Sequence, residues 1–229
     1  MKSQYGQFCP VAVASEIFAE RWTPIILREL VLGSRGFNEI LRGVPRISRA
    51  LLAKRLRTLI EAGVIASVQG EYRLTESGRE LGEIVVRLGE WGQRWTTPVR
   101  RDRLDARLLM WDMRRRIAVE RLPEKRVVVQ FDFRGAPARP KTFWLVMTRP
   151  DVDLCVIEPG YEVDLFVEAD LAEFSRVWLG ELPIRQAIRE RAISLNGDRQ
   201  SERDFPSWLL LSTLAAVPRP DDSMQRRVA

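Results

Sequence analysis

Histidine is absent from all 229 residues, and that absence removes more chemistry than any motif adds. Without it the chain cannot assemble a Ser-His-Asp triad, a Cys-His pair or a histidine-ligated metal site. Cysteine occurs only as Cys9 and Cys155, too few for a disulfide framework. No glycine-rich phosphate loop is present either. Long apolar runs are missing as well: the longest, Leu209 to Val217, is too short to span a bilayer. The start Met-Lys-Ser-Gln-Tyr lacks the apolar core of a secretory signal. These absences lead us to expect a cytoplasmic chain that is not an enzyme, needs no cofactor and holds no metal.

What the chain does carry is basic charge in one half. Residues 1 to 103 hold 17 Lys or Arg against 11 Asp or Glu, whereas residues 104 to 229 hold 20 against 20, so the whole formal charge of +6 lies in the first part. Within it, Arg21, Arg28, Arg35, Arg42, Arg46, Arg49, Lys54, Arg55 and Arg57 face only Glu29 and Glu39. A localised basic field is the electrostatic footprint of a nucleic-acid reader. The length suits two domains, and the charge break puts them at residues 1–97 and 105–229 with a linker at 98–104. The linker's Arg100, Arg101 and Arg103 either simply connect the domains or add contacts to a DNA backbone.

Apolar spacing divides the first part into helices and a hairpin. From Trp22, the positions Ile25, Ile26, Leu30 and Val31 recur at helical intervals until Gly33. Phe37, Ile40 and Leu41 mark a short second helix closed by Gly43 and Pro45. Ser48 is placed to cap a third, whose Leu52, Leu56, Leu59 and Ile60 form an apolar stripe ending at Gly63. The opposite face of this third helix is small and basic, with Ala50, Lys54 and Arg57, and Ser48 and Arg49 lie in its first turn. Small residues let a backbone approach base edges, and Lys and Arg neutralise phosphates or donate to guanine. The competing reading of such a face is an ordinary solvated surface. Val64 to Val68 then alternates as a strand, Gln69-Gly70-Glu71 turns, and Tyr72 to Thr75 returns. Thr75 is placed to cap a long helix with Leu81, Ile84, Val85, Leu88, Trp91 and Trp95 at intervals of three and four. That stripe suits either domain core or a dimer seam.

Together, Cys9-Pro10-Val11, Arg21-Trp22-Thr23, Gly36-Phe37-Asn38-Glu39-Ile40, Leu59-Ile60-Glu61-Ala62-Gly63-Val64-Ile65, Tyr72-Arg73-Leu74-Thr75-Glu76-Ser77-Gly78 and Trp91-Gly92 resemble the HxlR-type transcriptional regulators over residues 5 to 97. The resemblance implies a winged helix-turn-helix that binds double-stranded DNA as a homodimer, its first and last helices forming the subunit contact; such a dimer is expected to read a pseudo-palindromic operator. Arg46, Ser48, Arg49, Ala50, Lys54, Arg57 and Arg73 are the DNA-binding candidates. Two departures stand out: the wing tip Gln69-Gly70-Glu71 lacks basic residues, and about 130 residues follow the domain. The resemblance also implies a thiol sensor at Cys9. That role needs a thiolate, which a helix N-terminus favours, and Pro10 fits a first helical position; the competing reading is a buried, inert thiol.

Beyond residue 104 the pattern changes to strands. A helix is expected over about Asp105 to Arg121, then strands in which Val127, Val129, Phe131 and Phe133; Phe143, Leu145 and Met147; Val152, Leu154 and Val156; and Val163, Leu165 and Val167 each share a face. Asp170 is placed to cap a helix stopped by Gly180, Pro183 opens another, and Ala192 to Leu195 gives a last strand before the turn Asn196-Gly197-Asp198 and a helix around Phe205 to Leu214. Strands followed by helices indicate an α+β fold with one sheet face covered by helices. Val163 to Val167, Asp170, Phe174, Trp178-Leu179-Gly180 and Ile193 to Gly197 are similar to the C-terminal half of a sterol-carrier-protein-2-like (SCP2-like) domain. This implies a hydrophobic tunnel for a lipid or other apolar small molecule, with Trp111, Phe131, Phe133, Phe143, Phe166, Phe174 and Trp178 as candidate lining; any one of them also serves as plain core.

Three functions follow. The chain is expected to be a dimeric regulator that reads specific DNA under control of an apolar ligand in its second domain. Alternatively, it is a regulator switched through Cys9, with the second domain serving dimerisation, or a lipid carrier without specific DNA affinity.

Overall fold

The computed structural model describes residues 5–96, 99–137 and 139–220. It contains two compact units, one running to Glu90 and the other beginning at Trp91. Each encloses its own hydrophobic core.

The first unit runs α1 (Pro10–Phe18), α2 (Thr23–Val31), α3 (Phe37–Gly43), α4 (Arg49–Glu61), β1 (Ile65–Val68), β2 (Glu71–Leu74) and α5 (Glu76–Trp95), the last five residues of α5 lying past the division. Ile26, Leu27 and Leu30 of α2, Ile40 of α3 and Leu52, Leu56 and Leu59 of α4 meet in one core with Ile65 and Val85. The helices end where left-handed backbone is needed, at Gly33 (φ 96°) and Gly63 (φ 69°). Trp22 itself adopts φ 81° ahead of α2, so the helix begins one residue later than its apolar pattern. The hairpin turn is narrower than expected, with Gln69 (φ 52°) and Gly70 (φ 82°) at positive φ and Glu71 already in β2. The start of α5 is pinned to the end of α4: Thr75 Oγ1 donates to Gly63 O at 2.6 Å and accepts from Gly78 N at 3.2 Å. Only glycine fits at position 78, because a Cβ there would lie 2.0 Å from Val64 O.

The second unit contains α6 (Ala106–Arg114), β3 (Val127–Arg134), β4 (Thr142–Met147), β5 (Val152–Cys155), β6 (Leu165–Asp170), α7 (Leu171–Trp178), α8 (Ile184–Arg189), β7 (Ile193–Gly197) and α9 (Arg199–Trp208). Its five strands lie in the order β5-β4-β3-β6-β7. The central β3 and β6 are parallel and the other neighbours antiparallel. Phe131, Phe133, Phe143, Leu145, Leu165, Val167 and Ile193 join Met110, Phe174 and Phe205 of the helices in one core, while the alternate positions Gln130, Trp144 and Phe166 remain partly open. The result is an α+β layer with helices on one sheet face. No helix among the described residues is long and apolar enough to cross a membrane.

Several expectations about this unit need correction; Val156 and Val163, expected in strands, fall outside β5 and β6. The helix expected over Asp105 to Arg121 stops at Arg114, because Ile117 bridges to Leu209 and Ala118 N donates to Trp208 O at 2.8 Å. The last strand extends to Gly197 through pairing with Leu165, where a Cβ would lie 2.3 Å from Asp164 O. The final helix starts at Arg199 and ends at Trp208: Asp198 caps it by accepting from Gln200 N at 3.0 Å and Ser201 N at 2.9 Å, while the Ile117 bridge takes Leu209. At the supposed linker, residues 97 and 98 lie outside the described set; Leu104 is buried in the second core and Val99 packs against it, so the segment from 99 belongs to the second unit.

Candidate nucleic-acid interface

The first turn of α4 is fixed by Ser48, whose Oγ accepts from Leu51 N at 3.2 Å. Its buried stripe is Leu52, Leu56 and Leu59. On the other side Ala50, Lys54 and Arg57 are exposed, and among the described residues neither Lys54 nor Arg57 has an ion-pair or hydrogen-bond partner. A small, cationic strip suits a helix that enters a major groove.

The remaining candidates are placed differently. Arg49 is exposed but anchored to α3: its Nη2 donates to Asn38 Oδ1 at 2.9 Å, and its guanidinium lies 5.3 Å from the centre of the Phe37 ring. Arg46 is exposed in the loop before α4. Arg73, on the wing, pairs with Glu71 at 2.8 Å, so a carboxylate already faces the wing's one arginine.

Other members of the basic field turn inward. Arg55 pairs with Glu20 at 2.6 Å, and its side chain is largely buried. Arg35 Nη1 donates to Leu30 O at 2.8 Å. Arg28 Nη2 reaches both Glu29 Oε1 at 2.9 Å and Gly43 O at 2.7 Å. The Glu29 carboxylate is fully buried, and its other oxygen accepts from Ser34 Oγ at 3.1 Å. Gly43 makes room for it, since a Cβ there would lie 1.9 Å from the carboxyl carbon. This Glu29 clamp locks the end of α3 against α2 and so orients α4. Sequence reading missed it, setting Glu29 only against the basic field; the only local signal is a glutamate beside an apolar stripe. A second missed tie is the Tyr72 N–H, which donates to Arg35 O at 2.9 Å and holds the wing to the α2–α3 turn.

Cys9 is the N-cap residue of α1, with Pro10 at the first helical position. The thiol is partly exposed, and the backbone N–H groups of Ala12 and then Val11 hold its pKa below the ordinary thiol value. Cys155 has the opposite setting: burial, then the Asp153 carboxylate, raises it.

The candidate tunnel residues of the second unit do not share one lining. Phe131, Phe133, Phe143 and Phe174 are packed ring on ring with centroids 5.6–6.2 Å apart. Trp111 is buried beneath the guanidiniums of Arg114 and Arg115, and Trp178 is buried with its Nε1 donating to Asp112 Oδ2 at 2.9 Å. Phe166 corrects the expectation most clearly, for strand alternation puts it on the opposite sheet face beside Gln130. Among the described residues no group of three or more Cys, Asp or Glu is arranged to hold a metal ion.

Three helices in sequence, the last capped and basic on its outer side, followed by a two-stranded hairpin, define a winged helix-turn-helix. The chain belongs to the HxlR-like helix-turn-helix family, whose family model matches residues 17–100. It is 41% identical over 92 residues to the uncharacterised HTH-type transcriptional regulator Mb3122 of Mycobacterium bovis, a match covering 37% of this chain and 58% of that protein's length. With the uncharacterised HTH-type regulator YvaP of Bacillus subtilis it shares 32% over 101 residues, which is 41% of this chain and 94% of the relative. The crystal structure of quinone-bound YodB from B. subtilis is 30% identical, covers 37% of this chain and 97% of its own, and gives a TM-score of 0.35.

Proposed function

We propose that the protein is a homodimeric transcriptional regulator that binds a specific double-stranded DNA operator through α4. The observation that carries this reading is the exposed strip of Ala50, Lys54 and Arg57 opposite the buried Leu52, Leu56 and Leu59. Ser48, Arg49 and Arg46 supply further contacts from the start of that helix, and Arg73 does so weakly because Glu71 competes for it. Dimerisation is supported by unspent apolar surface. None of the described residues of α1 is buried, and α5 exposes Ile84, Leu88, Trp91 and Trp95, large side chains that a second copy would cover. The operator is accordingly pseudo-palindromic, with half-sites about one helical turn or a multiple apart. The second unit acts as the sensor: a small molecule held there shifts the relative placement of the two α4 helices, a coupling of about 1–3 kcal/mol.

The test is fluorescence anisotropy on a duplex taken from DNA beside the protein's own coding sequence. The double variant Lys54→Ala, Arg57→Ala is expected to lose specific affinity at least about tenfold, the scale of one or two charge-assisted contacts, with an unchanged circular dichroism spectrum. Unchanged affinity removes the assignment of α4.

A second reading is favoured by Cys9 at the cap of α1: its lowered pKa supports a thiol switch in a helix of the proposed dimer seam. Replacement by serine abolishes an oxidant response if Cys9 carries it, and an unaltered response removes this reading.

A further inference from the structure

Residues 104 to 229 carry as many acidic as basic side chains, yet the second unit does not mix them evenly. An open groove of about 880 Å³ runs between α8, β7 and α9, and its lining includes Arg185, Arg189, Arg191, Arg199 and Arg203 against the single carboxylate of Glu202. All five arginines are exposed. Arg185, Arg189, Arg191 and Arg199 have no ion-pair partner among the described residues; Arg203 alone is engaged, with Gln200 and with Asp204 at 3.8 Å. Nor do the neighbouring acids pair with the rest. Glu202 Oε1 accepts from Gly197 N at 3.0 Å, Asp198 caps α9, and Glu190 accepts from Gln186 Nε2 at 2.9 Å. Like charges brought together at a concave surface repel one another, and the field they create concentrates anions.

Two further features narrow the anion. Between the arginines the lining is aliphatic, from Ile188, Ile193, Leu195 and Pro206, and it includes no aromatic ring. A nucleobase would find no aromatic ring to stack on, whereas an alkyl chain would find an aliphatic strip. The volume falls in the range of small-molecule sites, roughly 300–1,000 Å³. Arg191 also stands in the left-handed region, φ 59°, in the tight turn between α8 and β7 where asparagine or glycine adopts that backbone at lower cost.

From this we infer that the α8–β7–α9 groove is a binding site for an aliphatic organic anion, its carboxylate, sulfate or phosphate head held by the arginine rim and its chain laid on Ile188, Leu195 and Pro206. Guanidinium forks match such oxygen-rich heads in a paired geometry that a lone ammonium does not offer. The inference concerns the second unit alone. A failure of operator binding leaves it standing, and its own failure leaves the operator reading untouched.

The test is isothermal titration calorimetry of the full chain with sodium decanoate below its micelle concentration, with decan-1-ol and with inorganic phosphate. Saturable one-to-one binding of decanoate is expected, with the alcohol and phosphate each weaker by about tenfold or more, the loss of one charge-assisted pair or of a few buried methylenes. The double variant Arg189→Glu, Arg199→Glu is expected to bind decanoate at least about tenfold more weakly; Arg189→Gln, Arg199→Gln, which only neutralises the rim, gives a smaller loss and serves if charge reversal impairs folding. Equal binding of decanol, or undiminished decanoate binding by a folded variant, overturns the proposal. So does an absence of decanoate binding combined with a loss of non-specific duplex affinity in the variants, which assigns the arginines to a phosphate backbone instead.

Discussion

At the scale of single residues, the number of basic side chains is a poor guide to the number available. Nine lie between Arg21 and Arg57, but Arg28, Arg35 and Arg55 are spent inside the unit on Glu29, Leu30 O and Glu20. The sequence showed the amphipathic face of α4 because helical period is a local property; it hid these pairings because their partners come from other elements. Lys54 and Arg57 remain unspent, which sets a quantitative expectation. Each phosphate contact releases close to one counterion, so Lys54→Ala with Arg57→Ala should flatten the slope of log affinity against log salt by roughly 2. Affinity measured from low to moderate salt checks this, and an unchanged slope rejects these two as backbone contacts. The cysteines give a second residue-scale expectation. A lowered pKa means that the thiolate appears at lower pH, so Cys9 should reach half-maximal alkylation by iodoacetamide below the pH at which Cys155, raised by burial, does so. Peptide mass spectrometry across pH 6–10, a span bracketing the thiol range of about 8.5, reads both sites at once.

At the scale of elements, the packing of α3 against α2 rests on a contact made possible by a missing side chain. Gly43→Ala would drive a methyl into the buried Glu29 carboxylate, and overpacking of this kind costs about 1–3 kcal/mol. Urea unfolding of the variant should show that loss, while Gly92→Ala, where a Cβ meets open space, should show none. Element identity was largely legible from period and turn chemistry: α2, α3, α4, the wing and α5 lie close to where their apolar spacing predicts. The errors fall where tertiary pairing overrules local pattern. The helix expected to reach Arg121 gives way at Arg114 so that Ile117 can bridge Leu209, and the same bridge ends α9 short of Leu214. Nothing near Ile117 in sequence announces a partner as distant as Leu209.

For the molecule as a whole, the apolar side chains left exposed on α1 and α5 are what supports the proposed homodimer. Val11 and Val13 of α1 are open to solvent, as are Ile84 and Leu88 of α5. Ile84→Glu with Leu88→Glu puts charge into the proposed seam and should yield a monomer in sedimentation equilibrium with weakened operator binding; a dimer that persists moves the seam elsewhere. The second unit teaches the complementary lesson. The SCP2-like resemblance implied a tunnel; Phe131, Phe133 and Phe174 of its candidate lining pack ring against ring, while the arginine groove, assembled from α8, β7 and α9, is invisible as a motif. The most direct measurement is a hydroxyl-radical footprint of the full chain on DNA beside its own coding sequence. The expected result is two protected half-sites related by a dyad, about one helical turn or a multiple apart, lost with Lys54→Ala and Arg57→Ala. A single unpaired footprint, or protection that the double variant retains, would contradict a dimer reading DNA through α4.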